Sequence, residues 1–463
     1  MDASLQSPIA IIRNAIQGTA YEGRLYIVGG YVRDLVLGIS ASQHDIDIVL
    51  EGDALELANA LFANGITDGP PVIYPRFGTA MVSVAGSQVE LVSARTESYS
   101  MDSRKPSKVL FGTLLDDAKR RDFTINTLLQ SLDTGDILDP LSVGFSDIGS
   151  GIIRTPREPR QTFADDPLRM LRAVRFASKL KFSIDPITLN GIRATAERLT
   201  VVSPERIRDE ICKMLQSDDP AAAMDLLRHT SVLEVVAPEL ATMIGVTQNA
   251  YHALDVWDHT LLALKHLSSS SSLTLRLATL FHDCGKPGTK TVDTASSIHF
   301  FGHQDLSAKL CRNFMVRLRF SKDITTSVTT LVAAHMRIGE YSPCWSDGAV
   351  RRLVRYIGPQ LPDLYALYNA DVSALHPAHR DPARGVALME RIRLLESAMS
   401  TVAIVSPLSG ADIIRLTGHP SSPFIGQIKR HVTELVIDGT LDQNDRDEAE
   451  KIALLYFKEN RNI

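Results

Sequence analysis

Asp45 and Asp47 stand one residue apart in Asp45-Ile46-Asp47, shortly after the run Gly29-Gly30-Tyr31-Val32-Arg33-Asp34. In a strand, residues i and i+2 share a face, so both carboxylates can reach divalent ions while Ile46 and Ile48 turn to the core. The apolar Leu25 to Val28 leads in as a strand and breaks at the glycine pair, where a backbone without Cβ atoms can approach phosphate oxygens. Arg33 adds a fork of donors for phosphate. Taken singly, a Gly-Gly is an ordinary turn and D-x-D an ordinary solvated strand face. Together they describe a nucleotide-handling metal site, of the kind that uses paired Mg²⁺ for phosphoryl or nucleotidyl transfer. Glu90, on the strand-like Gln88 to Val92, is placed to supply a third carboxylate from a neighbouring antiparallel strand.

Two further constellations offer partners for a nucleotide. Arg121, Asp122 and Asn126, in Arg120-Arg121-Asp122-Phe123-Thr124-Ile125-Asn126, carry the charge-assisted and amide hydrogen bonds that could hold a ribose and triphosphate. Asp165-Asp166-Pro167-Leu168-Arg169 reads as a helix start, with Asp166 as a cap ahead of a first-turn proline. Arg169, Arg172 and Arg175 then follow at a spacing of three on one helical face, where like charges destabilise unless anions answer them. A nucleotide or RNA phosphate is the expected answer.

The elements that must position these groups divide the chain. Residues 1–145 read as an α/β head, with strand-like runs at Leu25 to Val28, Ile46 to Leu50, Thr79 to Val84 and Gln88 to Val92 around an amphipathic segment near Ala54 to Ala63. Ser98 to Asp117 reads as a long polar loop. From about residue 150 the pattern is helical, so the fold class is an α/β head, a mixed sheet with flanking helices, followed by an all-α neck and body (146–245), a further helical domain (246–400) and a helical tail (401–463). At 463 residues and a formal net charge of −5, any attraction to nucleic acid must come from local patches. Arg351-Arg352 with Arg355, Arg391 with Arg393, and Lys429-Arg430 are such patches, or else solvated helix faces. The four cysteines are widely spaced with no C-x-x-C, which argues against a disulfide framework and a cysteine zinc site. No signal peptide or membrane span is visible, so the expected setting is the cytoplasm. The oligomeric state is not legible.

With these motifs assembled, the chain resembles the class II tRNA nucleotidyltransferases, the CCA-adding enzymes, and their relatives the bacterial poly(A) polymerases. The resemblance covers roughly residues 20 to 245, including Glu205-Arg206-Ile207 and Glu210. It implies that Gly29, Gly30, Arg33 and Asp34 with Asp45 and Asp47 bind the triphosphate and Mg²⁺. Arg121, Asp122 and Asn126 would meet the ribose, and Asp166 with Arg169 would read the base. The family's E-D-x-x-R stands here with Asp165 in first place. The implied reaction is attack of the tRNA 3′-hydroxyl on CTP or ATP, with Asp45, Asp47 and Glu90 as catalytic carboxylates. An A-adding, CC-adding or poly(A)-making enzyme is the near alternative.

In the C-terminal half, His252, His259, His282-Asp283, His303, His335 and Asp371 resemble an HD-type phosphohydrolase domain. There H…HD…D holds one divalent ion and further histidines can hold a second. Imidazole with carboxylate suits Mn²⁺, Ni²⁺, Fe²⁺ or Zn²⁺ better than Mg²⁺. Lys286 and Lys290 are placed to attract phosphate esters. The rival reading is a metal phosphohydrolase whose N-terminal half only binds nucleotide or RNA. Gly410 to Gly426 resembles the helical tail of HD-containing members of the family.

Overall fold

The computed structural model describes residues 7–39, 46–100, 103–398 and 406–460; the side chains of 96–100, 103–109 and 398 are not described. Asp45 lies outside the described residues. The chain forms two compact units, one of residues 1–241 with 317–319 and the other of 242–316 with 320–463.

The first unit opens with a seven-stranded mixed sheet. Its strands are β1 (Leu25–Val28), β2 (Ile46–Leu50), β3 (Val72–Tyr74), β4 (Thr79–Val84), β5 (Ser87–Ser93), β8 (Leu129–Ser131) and β9 (Ile137–Leu138), while β6 (Arg95–Ser100) and β7 (Ser103–Phe111) form a separate hairpin. The sheet order is β3-β4-β5-β2-β1-β8-β9. Asp53 caps the crossover helix Ala54–Ala63, its Oδ1 accepting from the amide of Leu55 at 2.8 Å. That helix buries Ala54, Leu57, Ala58 and Leu61.

The strand carrying Glu90 is parallel to β2, not antiparallel as expected. The crossover through the helix sets β3 parallel to β2. The two antiparallel pairings β3 to β4 and β4 to β5 reverse direction twice, so β5 runs with β2 again. The register still places Asp47 directly beside Glu90. The expected polar loop from Ser98 to Asp117 is instead largely the β6–β7 hairpin and the helix Leu114–Arg120, which starts with a capping box at Thr113 and Asp116.

Beyond the sheet the first unit is helical. Helix Leu168–Leu180 packs its buried face of Leu171, Val174 and Ala177 among helices Pro204–Leu215 and Pro220–His229. In the second unit, helices Val256–Lys265, His303–Arg317 and Leu361–Ala374 carry His259, His303 and Asp371, while His282-Asp283 and His335 directly follow helices Leu273–Phe281 and Lys322–Ala334. The tail helices Gly410–Thr417, Pro423–Ile437 and Arg446–Asn460 close on their own core of Ile413, Ile428, Val432 and Phe457. All four cysteines are free thiols, and Cys284 and Cys311 are buried. Among the described residues no helix is long and apolar enough to cross a membrane.

Candidate functional site

The first two motifs converge on one cleft. Gly29 ends β1 at φ +82°, a conformation only glycine adopts cheaply, and a Cβ there would lie 3.5 Å from Asp47 Oδ2 and 3.9 Å from Arg121 Nη1. Together with Gly30, Arg33, Asp122, Asn126, Arg172 and Arg175, these residues line a cavity of about 280 Å³.

Several groups expected to await a ligand already hold one another. Arg33 is buried, donating from Nε to Asp34 Oδ1 at 2.7 Å and from Nη1 to Asn126 Oδ1 at 2.9 Å. Asn126 Nδ2 donates to Asp122 Oδ1 at 3.0 Å, and Asp122 Oδ2 accepts from Arg172 Nε and Nη2 at 2.8 and 2.6 Å. Asp34 is buried behind Arg33 and is not among the residues lining the cavity. Burial would raise the Asp122 carboxyl, but the adjacent Arg172 charge and the Asn126 and Arg172 hydrogen bonds hold it well below the usual range.

The arginine face is likewise answered from within, which corrects the expectation that phosphates must do so. Arg172 meets Asp122, Arg175 Nε donates to Glu210 Oε2 at 2.5 Å, and Arg169 Nη2 donates to the carbonyl of Arg120 at 2.6 Å. Buried carboxylates on Arg172 and Arg175 offset the like-charge repulsion that the spacing alone would leave, and a backbone carbonyl takes Arg169. Asp166 and Arg169 are not among the residues lining that cavity. Asp166 Oδ2 accepts from Arg206 Nη2 at 2.9 Å. Arg169 keeps one buried donor, Nη1, without a hydrogen-bond partner.

Three contributors escaped the sequence. Asp117, buried, accepts from Arg120 Nε at 2.9 Å and from Arg121 Nε at 2.8 Å. Its only signal was the i,i+4 spacing to Arg121 on a helix. Phe176 lies beneath three guanidinium groups, those of Arg175, Arg33 and Arg172 at 4.2, 5.0 and 5.3 Å from its ring centre. Lys179, one helical turn after Arg175, lines the same cavity.

In the second unit the expected ligands gather into two groups, His259, His282 and Asp371, and Asp283, His303 and His335, the ligand atoms of each lying within 4.8 Å of one another. Asp283 also joins them: its Oδ2 lies 3.2 Å from His282 Nε2 and its Oδ1 3.4 Å from His303 Nε2. The Nδ1 atoms of His282, His303 and His335 sit at 2.8, 2.8 and 2.7 Å from the carbonyls of Thr279, Phe300 and Val332, which fixes the tautomer with each Nε2 aimed inward. The donor set fits divalent metal ions. Burial pushes His335 down to about 3, with the neighbouring His282 adding to it, so its ring is neutral as a ligand must be. Burial works against charge on His282, yet Asp283 and Asp371 drive it up to about 10, so a proton there stands where a metal charge would. Lys286, expected to attract phosphate esters, is buried and committed to Asp283 Oδ2 at 2.6 Å and Gln248 Oε1 at 2.8 Å. Lys290 donates to Thr247 Oγ1 at 2.6 Å. His252 packs edge-on against His259 at 4.8 Å and belongs to neither group.

The surface basic runs are partly neutralised in the same way. Arg352 pairs with Asp438, Arg391 with Asp347 at 2.8 Å and Arg393 with Glu390 at 2.8 Å.

Comparison with known proteins places both halves. Residues 25–154 match the poly A polymerase head domain, 181–244 the probable RNA and SrmB-binding site of polymerase A, and 249–375 the HD domain. An A-adding tRNA nucleotidyltransferase of Deinococcus radiodurans is 34% identical over 69% of this chain and 75% of that protein. A CC-adding tRNA nucleotidyltransferase of Thermus thermophilus is 29% identical over 94% of both chains, and a multifunctional CCA protein of an Azoarcus species is 31% identical over 74% of this chain and 81% of that one. The fold matches the crystal structure of the Bacillus stearothermophilus CCA-adding enzyme in complex with CTP at a TM-score of 0.67 and 22% identity, over all of both chains. The chain belongs to the tRNA nucleotidyltransferase and poly(A) polymerase family, as a nucleotidyltransferase with an HD domain. Divalent metal use is implied for both halves.

Proposed function

We propose that the chain adds CCA to the tRNA 3′ end without a nucleic-acid template, taking CTP and ATP in turn. The single observation that carries this reading is the convergence of Gly29, Asp47, Arg121, Asp122 and Asn126 on one cleft. The Gly29-Gly30 backbone approaches the triphosphate, and Arg121 beside it answers the phosphate charge. Arg172 and Arg175, held by Asp122 and Glu210, line the same cavity with Lys179. The tRNA 3′-oxygen bonds to the α-phosphorus, the bond from that phosphorus to the β-bridging oxygen breaks, and pyrophosphate leaves as the hydroxyl proton is lost. Asp45, Asp47 and Glu90 would hold Mg²⁺, which when bound lowers the hydroxyl's pKa and neutralises the triphosphate.

Base choice falls to Asp166 and Arg169. Cytosine and adenine each present an amino donor beside a ring-nitrogen acceptor, which a carboxylate and a guanidinium satisfy. Uracil and guanine reverse the pattern and leave buried polar groups unpaired, at about 1–3 kcal/mol each. The partnerless Arg169 Nη1 supports this reading, since a base acceptor would complete it.

The HD half is read as a phosphohydrolase holding two ions, of Mn²⁺ or Ni²⁺ type, acting on phosphate esters at RNA ends. Two adjacent ligand groups, with Asp283 of one lying 3.2 Å from His282 of the other, support that reading. A cytoplasmic setting accords with the free thiols. Incubation with tRNA ending before CCA, after C or after CC, with CTP and ATP singly and together, tests the head by product length. Addition of A alone or of CC alone would replace the CCA reading with the corresponding partial one.

A further inference from the structure

A second nucleotide-sized recess lies in the other unit, and nothing in the two metal-ligand groups uses it. It encloses about 500 Å³ between helix Asp347–Ile357, the end of helix Lys322–Ala334 and the start of helix His303–Arg317. Asp305 follows His303 by two positions and Ala333 precedes His335 by two, which is roughly 200° around a helix. The recess therefore opens on the far side of these helices from the metal-ligand groups.

Its lining is of three kinds. Trp345 and Tyr356 supply ring faces; Trp345 stands edge-on to Tyr341 at 5.7 Å, and Tyr356 is 60% exposed. Arg337 and Arg352 supply guanidinium groups. Arg337 meets Glu340 at a single 3.2 Å contact with its side chain 60% exposed, and Arg352 pairs with Asp438 while 48% exposed. Such exposed pairs contribute little, and a phosphate that accepts bidentate bonds competes well with them. Asp305 supplies the one lining carboxylate. An aromatic face, a cationic fork and an isolated acid match the base, the phosphate and the ribose hydroxyls or exocyclic amine of one nucleotide. The volume suits one such unit.

We propose that this recess binds a nucleoside monophosphate unit, its base against Trp345 and Tyr356 and its phosphate on Arg337 and Arg352. The site is independent of the head cleft and of the reaction proposed there. The unit could come from a free nucleotide or from the unpaired end of an RNA, which present the same chemistry.

The chain's two tryptophans make the test direct. Trp257 is fully buried and Trp345 lines the recess, so a change in tryptophan emission reports this site. The full-length protein is titrated with AMP, with a 5′-phosphorylated trinucleotide RNA and with inorganic phosphate. Saturable quenching by AMP or the trinucleotide is expected, persisting in Asp47→Ala, weakened at least about tenfold in Arg337→Glu and absent in Trp345→Phe. Tighter binding of the trinucleotide assigns the site to RNA ends; equal or tighter binding of AMP assigns it to free nucleotide. Circular dichroism of each variant checks the fold, and Tyr356→Ala, which removes only a ring, should weaken binding if Arg337→Glu proves unstable. No saturable quenching up to millimolar nucleotide, equal quenching by phosphate alone, or unaltered affinity in well-folded variants would overturn the proposal.

Discussion

Asp117 holds Arg121 by Nε at 2.8 Å and, through its other oxygen, holds Arg120 by Nε at 2.9 Å. Arg121 faces the Gly29 turn, and the Arg120 carbonyl accepts from Arg169, so one buried carboxylate fixes a residue of the head cleft and the support of Arg169, the proposed base reader. Losing one partner of such a buried pair costs about 3 kcal/mol. Asp117→Ala should lower the melting temperature. It should also raise KM for CTP and increase UTP misincorporation, which a purely structural defect would not do. Urea unfolding and single-nucleotide kinetics check this; normal selectivity in a stable Asp117→Ala protein would remove the positioning role.

Asp47 is tested more simply. Its neighbour Glu90 shares its register and the Gly29 turn abuts its carboxylate, so a metal bound there loses a ligand in Asp47→Ala. If the ion supplies about 4 kcal/mol to the transition state, addition falls by about a thousandfold. The melting temperature should move little. Asp45→Ala is expected to behave the same way, and substantial addition by either variant would contradict the two-carboxylate reading.

Arg169→Ala removes a buried guanidinium nitrogen, Nη1, that has no hydrogen-bond partner. The expected result is a loss of discrimination against UTP and GTP of about 1–3 kcal/mol, roughly five- to 150-fold in the ratio of kcat/KM values. Unchanged ratios would move base reading elsewhere.

What the sequence made legible follows from which interactions are local. The strands Leu25–Val28, Ile46–Leu50 and Thr79–Val84 and the helix Ala54–Ala63 matched their expected spans, because alternation and capping are written in adjacent residues. The direction of the Glu90 strand depends on two hairpin reversals, and the intervening β3 has only three residues, too few for a periodic signal. The motif arginines were recognisable by type, but not their partners. Glu210 lies 35 residues from Arg175 and Asp122 lies 50 from Arg172, so only the folded chain shows that these charges answer each other.

The Asp122 to Arg172 pair gives the head a pH dependence. The folded-state pKa of Asp122 lies below its unfolded value, so the pair stabilises the protein fully above the unfolded pKa, about 3.9. That stability is lost as the pH falls below this value toward the lower folded pKa. Urea unfolding of the wild type between pH 7 and pH 3 should therefore show a steeper acid loss than Asp122→Asn, whose residue 122 does not titrate. Parallel acid limbs for the two proteins would show that the pair contributes nothing.

The two HD groups predict a linkage between metal and stability. Four histidines and two carboxylates converge in a largely buried site, where backbone carbonyls already orient three of the rings, those of His282, His303 and His335. Ions that bind this folded site raise stability by RT ln(1 + [L]/Kd), about 2.7 kcal/mol at a hundredfold excess over Kd. Chelation should lower the melting temperature of the second unit, and Mn²⁺ or Ni²⁺ should restore it. Because Asp283 faces both groups, Asp283→Ala should reduce the bound metal from two ions toward none, whereas His303→Ala should spare the group of His259, His282 and Asp371. Metal content measured after dialysis distinguishes these outcomes. Full occupancy in Asp283→Ala would show that the two groups do not share that carboxylate as a ligand.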